Sequence, residues 1–248
     1  MSARGAGVPR LVDANSLDEV AAIASGCTLC RLCNSRTQVV FGQGNPDADL
    51  LFVGEGPGYH DDRTGDPLTG AAGELLDELL RGIGMHRDDV YVTNIVKCRP
   101  PRNRKPFPDE IEQCEGYLFR EVAMVEPRVI CPLGDVALRL LTGKPLTLAQ
   151  VRGRTRATTI MGRPTTIFPL YHPAAALYAK PLLESLRGDF RHLPRLLRGE
   201  LADPVPAGAI ASSPAESLSG ESPQPRVSSH DDAQSQLSFD VGPGPAGE

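Results

Sequence analysis

Four short runs rich in β-branched and other apolar residues, at 50–53, 90–96, 128–133 and 165–170, are separated by stretches whose apolar residues recur at helical spacing. This alternation constrains the fold most, because parallel strands need long crossovers and helices supply them. Leu75, Leu76, Leu79, Leu80 and Ile83 form one helical stripe ended by Gly84, and after Pro108 the residues Ile111, Cys114, Leu118, Val122 and Val125 form another, stopped by Pro127. The expected class is α/β, a parallel sheet with crossover helices. Each run also leads into an unusual motif: GEGPG at 54–58, Asn94, Gly134, and His172 with Pro173. Ligands of open α/β sheets bind beyond the carboxyl ends of the strands. The four features are therefore expected to form one site.

The chain has 248 residues, 40% of them hydrophobic, enough for a substantial core. No stretch reaches the roughly 18 apolar residues of a membrane span, and the start lacks the basic-then-apolar layout of a signal peptide. The expectation is a cytoplasmic protein whose thiols are reduced and available as ligands. The formal charge of −5 is unevenly spread: residues 200–248 hold eight acids against Arg226 alone, and residues 1–199 hold 25 basic and 23 acidic side chains. A slightly basic body permits nucleic-acid binding, since local patches set phosphate affinity. From Leu201 the composition turns to Pro, Gly, Ser and Asp, which cannot bury enough apolar area to offset chain entropy. A folded domain over 1–200 and a disordered acidic tail over 201–248 are expected.

Cys27 and Cys30 form a C-x2-C pair, with Cys98 and Cys114 far downstream. Four thiolates suit either Zn²⁺ or an iron-sulfur cluster, and spacing leaves both open. Cys131 lies in an apolar run and Cys33 is the surplus member of the first group; both read as unliganded. In GEGPGYHDD, residues 54–62, a carboxylate stands among glycines directly after a strand, where backbone can approach a ligand closely. A P-loop is excluded because no G-K-[ST] follows. Asn94 must satisfy a carbonyl and an amide within a strand, for which backbone partners are the ordinary solution. His172 reads by itself as a capping or surface residue. The basic loop at 97–106 and VRGR at 151–154 flank these features.

Together, CTLCRL, VVFGQGNPDADLLFVGEGPG, TNIVKCRPPRNRKP and YHP stand in the order and spacing of the family 4 uracil-DNA glycosylases, which the chain resembles over roughly residues 20–195. The resemblance implies a three-layer α/β/α sandwich with a central four-stranded parallel sheet. It implies a [4Fe–4S] cluster on Cys27, Cys30, Cys98 and Cys114. It implies that Glu55, Gly56 and Pro57 contact the base and the attacking water, that Asn94 hydrogen-bonds a flipped uracil, and that His172 faces its O2. No catalytic lysine is implied, so the expected enzyme is monofunctional, and the reading in which the abasic sugar is trapped covalently, as in some relatives, is set aside because no basic insertion precedes the HP motif. The competing reading is a non-catalytic or specificity-altered iron-sulfur DNA-binding member of the same group.

Two positions depart from the family's pattern. Where it reads G-x-P-F-V-G, this chain reads GDPLTG, placing Leu68 at the aromatic that would stack on uracil. Asp61 stands where an acid, often glutamate, approaches the base's C5 edge. Arg99, Arg102, Arg104 and Arg152 are expected to contact phosphates of uracil-containing DNA. In the tail, QSQLSF at 234–239 resembles the peptide by which bacterial repair proteins dock on the replication sliding clamp, with Gln234, Leu237 and Phe239 as anchors. A bacterial, nucleoid-associated monomer is expected.

Overall fold

A computed structural model describes residues 11–200. The tail expected over 201–248, with Gln234, Leu237 and Phe239, lies outside the described residues. Six strands form one sheet in the order β1-β3-β2-β4-β6-β5. The central four are parallel: β2 (Leu50–Gly54), β3 (Tyr91–Asn94), β4 (Val129–Pro132) and β6 (Arg163–Ile167). These are the four runs expected from sequence. Two antiparallel edge strands flank them, β1 (Gln43–Gly44) beside β3 and β5 (Arg156–Ile160) beside β6.

Burial divides cleanly between the two faces because side chains alternate along a strand. Leu51, Val53 and Ile130 pack under α1 (Leu17–Ser25), α4 (Pro108–Val125) and α5 (Asp135–Thr142), while Leu50, Phe52, Val129 and Cys131 pack under α3 (Gly70–Arg81), α8 (Lys180–Phe190) and α9 (Leu193–Leu197). Three short helices complete the set: α2 (Tyr59–Thr64), α6 (Leu148–Val151) and α7 (Pro173–Ala176). The result is the expected α/β/α sandwich. Phe52 and Phe190 stack with centroids 5.8 Å apart, joining the sheet to α8. Cys131 is fully buried on this face, across the sheet from the other core cysteines.

The helix ends follow local chemistry. Helix α3 delivers the first apolar stripe and stops at Arg81, so Ile83 packs from beyond its end. Helix α4 starts with Pro108 at its first turn, where a missing N–H costs nothing, and Glu110 reaches back to the N–H of Phe107 at 2.8 Å. It ends at Glu126 in the left-handed region, φ 52°, before Pro127. Among the described residues no helix is long and apolar enough to cross a membrane.

Candidate active site and four-cysteine centre

The parallel register aligns Gly54 with Asn94, and the chain beyond each strand stays paired. The N–H groups of Ile95 and Val96 donate to the carbonyl oxygens of Gly54 and Glu55 at 2.9 and 3.3 Å. Glycine is needed here for close approach. A methyl group on Gly54 would sit 2.2 Å from Asn94 Oδ1 and 3.6 Å from His172 Nε2, and one on Gly56 would sit 2.7 Å from Val96 Cγ2. The glycines thus let the site's own side chains crowd together. Beyond these strand ends opens a cleft of about 430 Å³, lined by residues 55–61, by Leu68 and Thr69, by Lys105, and by Gly134 and His172.

Asn94 is 2% exposed, and its Nδ2 has no hydrogen-bond partner. A buried donor left unmet costs about 1–3 kcal/mol, a cost that an acceptor on a ligand would remove. The expectation of ordinary backbone satisfaction for Asn94 is therefore corrected. His172 caps α7, its Nδ1 accepting the N–H of Ala174 at 3.1 Å. Burial pushes its pKa down to about 4, against the opposing charge of Asp61. The ring is neutral at pH 7, and with Nδ1 accepting, its proton is on Nε2. Burial also raises the Glu55 carboxyl above its ordinary value, while nearby Lys105 acts the other way. The cleft wall therefore carries a neutral imidazole donor and a carboxyl group, and the unmet amide donor of Asn94 is buried next to it, beside Gly54 and His172.

Asp61 lines this cleft but is already committed. Its Oδ1 accepts from the N–H and hydroxyl of Thr69 at 2.7 and 2.6 Å, and its Oδ2 from the N–H of Gly58 at 2.9 Å. It braces the two loops that form opposing walls. Leu68, 6% exposed, has φ 55°, a left-handed conformation costly for a branched side chain. Arg87 donates to the carbonyls of Pro67 and Leu68, and a methyl on Gly73 would collide with Leu68 O at 2.1 Å. The wall carrying Leu68 is thus held from behind.

The four arginines expected to bind phosphate are not equivalent. Arg104 gives both terminal nitrogens to Glu110, at 2.7 and 2.6 Å, and lies 3.8 Å over Phe107; Arg152 pairs with Asp189 at 2.5 Å. These two are held in ion pairs within the protein. Arg99 bonds Asn103 at 2.7 Å and lies 5.0 Å over the exposed ring of Tyr59, and Arg102 is exposed. Neither has a carboxylate partner among the described residues. Sequence reasoning missed Lys105, whose effect on Glu55 depends on how the basic loop folds over the cleft.

Cys27, Cys30, Cys98 and Cys114 line a single small void beside Arg36 and Tyr117. Arg36 donates to Cys98 Sγ at 3.2 Å, and the N–H of Lys97 donates to Cys114 Sγ at 3.3 Å. Burial pushes the Cys114 thiol up to about 12, with the Lys97 charge opposing, and raises Cys98 against the opposing Arg36. Among the described residues no three His, Cys, Asp or Glu side chains converge closely enough to hold a single metal ion. Five cysteines line this void, the four expected ligands among them, and N–H donors aimed at Cys98 and Cys114 suit the donor set of a sulfur-bound group larger than one ion. Cys33 lines the same void, its Sγ 3.5 Å from Asn34 Oδ1.

Comparison with known proteins adds an independent result. Residues 41–191 match the Uracil DNA glycosylase superfamily. A type-4 uracil-DNA glycosylase of Archaeoglobus fulgidus is 40% identical over 185 residues, covering 73% of this chain and 93% of that protein. One from Thermotoga maritima is 45% identical over 152 residues, covering 61% and 78% respectively. A type-5 uracil-DNA glycosylase of Thermus thermophilus is 39% identical over 115 residues, covering 40% of this chain and 52% of that protein.

Proposed function

Because the chain belongs to the type-4 uracil-DNA glycosylases of the Uracil DNA glycosylase superfamily, we propose that it hydrolyses the N-glycosidic bond of deoxyuridine in DNA, releasing uracil and leaving an abasic site. The observation that carries this reading is the buried Asn94 amide, with its Nδ2 unpartnered, beside the neutral imidazole of His172. Uracil presents N3–H as a donor and O4 as an acceptor, which a carboxamide matches with its oxygen and its NH₂. Cytosine presents the reverse pair. The base must leave the helical stack to reach such a pocket.

Breaking the bond between C1′ and N1 leaves its electron pair on the departing base, much of it at O2. His172 Nε2–H donates a hydrogen bond there without becoming charged, stabilising the anion as it develops. The sugar gains positive character, which the Glu55 carboxylate stabilises while orienting a water whose oxygen bonds to C1′. The water's proton passes to Glu55 and finally to the uracil anion. Asp61 keeps the walls in place through Gly58 and Thr69. Arg99 and Arg102 meet the phosphates beside the cleft.

Cys27, Cys30, Cys98 and Cys114 would hold a [4Fe–4S] cluster, which supplies iron–sulfur bonds cross-linking the N-terminal segment, the loop after β3 and α4. Gln234, Leu237 and Phe239 would anchor the tail on a sliding clamp, leaving the catalytic body free to search DNA. The test uses oligonucleotides carrying one uracil, cytosine or thymine. Only uracil should be released, and Asn94→Ala should lose most of that release; equal release of all three bases would refute the assignment.

A further inference from the structure

Lys97 lies between Asn94 and Cys98 in sequence and is 1% exposed. A buried ammonium is costly unless its protons are all used. Its Nζ donates to Thr93 Oγ1 at 2.7 Å and to the main-chain oxygen of Asn94 at 2.8 Å, and pairs with Glu121. The Phe41 ring centroid lies 5.6 Å away. Glu121, wholly buried on α4, accepts in addition from the N–H of Gly42 at 2.8 Å and from the hydroxyls of Thr93 and Tyr91 at 2.9 and 3.4 Å. Every ammonium proton has a partner, and the carboxylate is equally engaged.

The reaction described above does not use this pair. Stability alone is a weak reason for it, since apolar side chains of similar volume often replace a buried ion pair at no cost or with a gain. An apolar side chain could not hold the Asn94 carbonyl. That carbonyl belongs to the last residue of β3, where the chain leaves the ladder and the carboxamide must keep one setting beside Gly54. The same lysine is fixed at its main chain from two sides: its N–H donates to Cys114 Sγ at 3.3 Å, and its carbonyl accepts from Val40 at 2.8 Å. One end of Lys97 therefore touches the four-cysteine centre, and the other grips the backbone that carries the base-reading amide.

We propose that Lys97, held by Glu121, is a positioning residue that fixes Asn94 in the pocket from the side of the four-cysteine centre. The proposal rests on reading Asn94 as the group that binds uracil. The test is the double variant Lys97→Met with Glu121→Met, which leaves no unpaired charge. A second double, Lys97→Met with Glu121→Gln, keeps acceptor groups for Gly42 and Thr93 and serves if the first does not fold. The folded variant should keep its melting temperature within a few degrees and its visible absorbance and iron content, since the contact to Cys114 comes from the main chain. Its affinity for free uracil, measured as product inhibition, should fall by about tenfold, the worth of one positioning hydrogen bond. KM should rise more than kcat falls. Wild-type uracil affinity in either folded double overturns the proposal. Asn94→Ala, run alongside, separates the two readings: if it binds and releases uracil like wild type, the site assignment itself fails, whereas if it is impaired while the doubles are not, only the role of Lys97 fails.

Discussion

At the residue scale the site depends on close approach and on burial, which pushes His172 down and Glu55 up from their ordinary values. Gly54→Ala is expected to push Asn94 out of place, because the added methyl would meet Oδ1 at 2.2 Å, and to lower kcat/KM by about a hundredfold or more with the fold intact by circular dichroism, as misplacement near the chemistry does. The Glu55 carboxyl titrates above its ordinary value because of burial, with Lys105 opposing. Release should therefore fall as pH drops through that raised value, and Lys105→Ala should move the acid limb to higher pH. A limb unmoved by Lys105→Ala would show that another group sets it. His172, pushed down to about 4 by burial, is neutral at pH 7. Leu68→Phe restores a stacking face on the cleft wall, and base stacking is worth about 1–3 kcal/mol. It should tighten uracil binding, read as a lower KM; an unchanged or raised KM would show that the side chain at position 68 does not stack on the base. Asn94 and His172 were individually weak signals in the sequence. Their meaning came from strand ends that bring them together, and the unmet Nδ2 could be seen only in three dimensions.

At the scale of elements, the four parallel strands were legible because β-branched runs alternate with helical stripes. Strand β1 was not, being two residues long, and β5 was not because its sequence RATTI places only half-buried Arg and Thr between exposed Ala and Thr, with no apolar alternation before Ile160. The β5–β6 turn at Met161 and Gly162, with φ 50° and 79°, lacks the usual Asn-Gly or Asp-Gly signal. The basic loop shows the same limit. Sequence displays its charges but not Glu110 closing on Arg104, nor Asp189 on Arg152. Charge reversal can separate braces from phosphate contacts. Arg102→Glu should reduce the salt dependence of DNA binding by about one counterion or more per lost contact, with little change in thermal stability. Arg104→Glu should instead destabilise the loop by placing two carboxylates together. Equal salt slopes for wild type and Arg102→Glu would count against a phosphate contact there.

At the scale of the molecule, the two faces of the sheet divide the work. One face buries α3, α8 and α9; the other carries α1 and α4 with the four-cysteine centre, and Lys97 and Glu121 join that centre to the strand bearing Asn94. The cleft opens at the edge where all four parallel strands end, so a rigid sheet sets the spacing of Glu55, Asn94 and His172. The central claim is that this cleft cuts the glycosidic bond of deoxyuridine. A single-turnover assay on a labelled oligonucleotide with one uracil tests it most directly, following both free base and strand. The wild-type chain should give free uracil and an intact strand with one abasic site, and Glu55→Ala should form neither product. No uracil release by the wild-type chain, or release undiminished in Glu55→Ala, would contradict it.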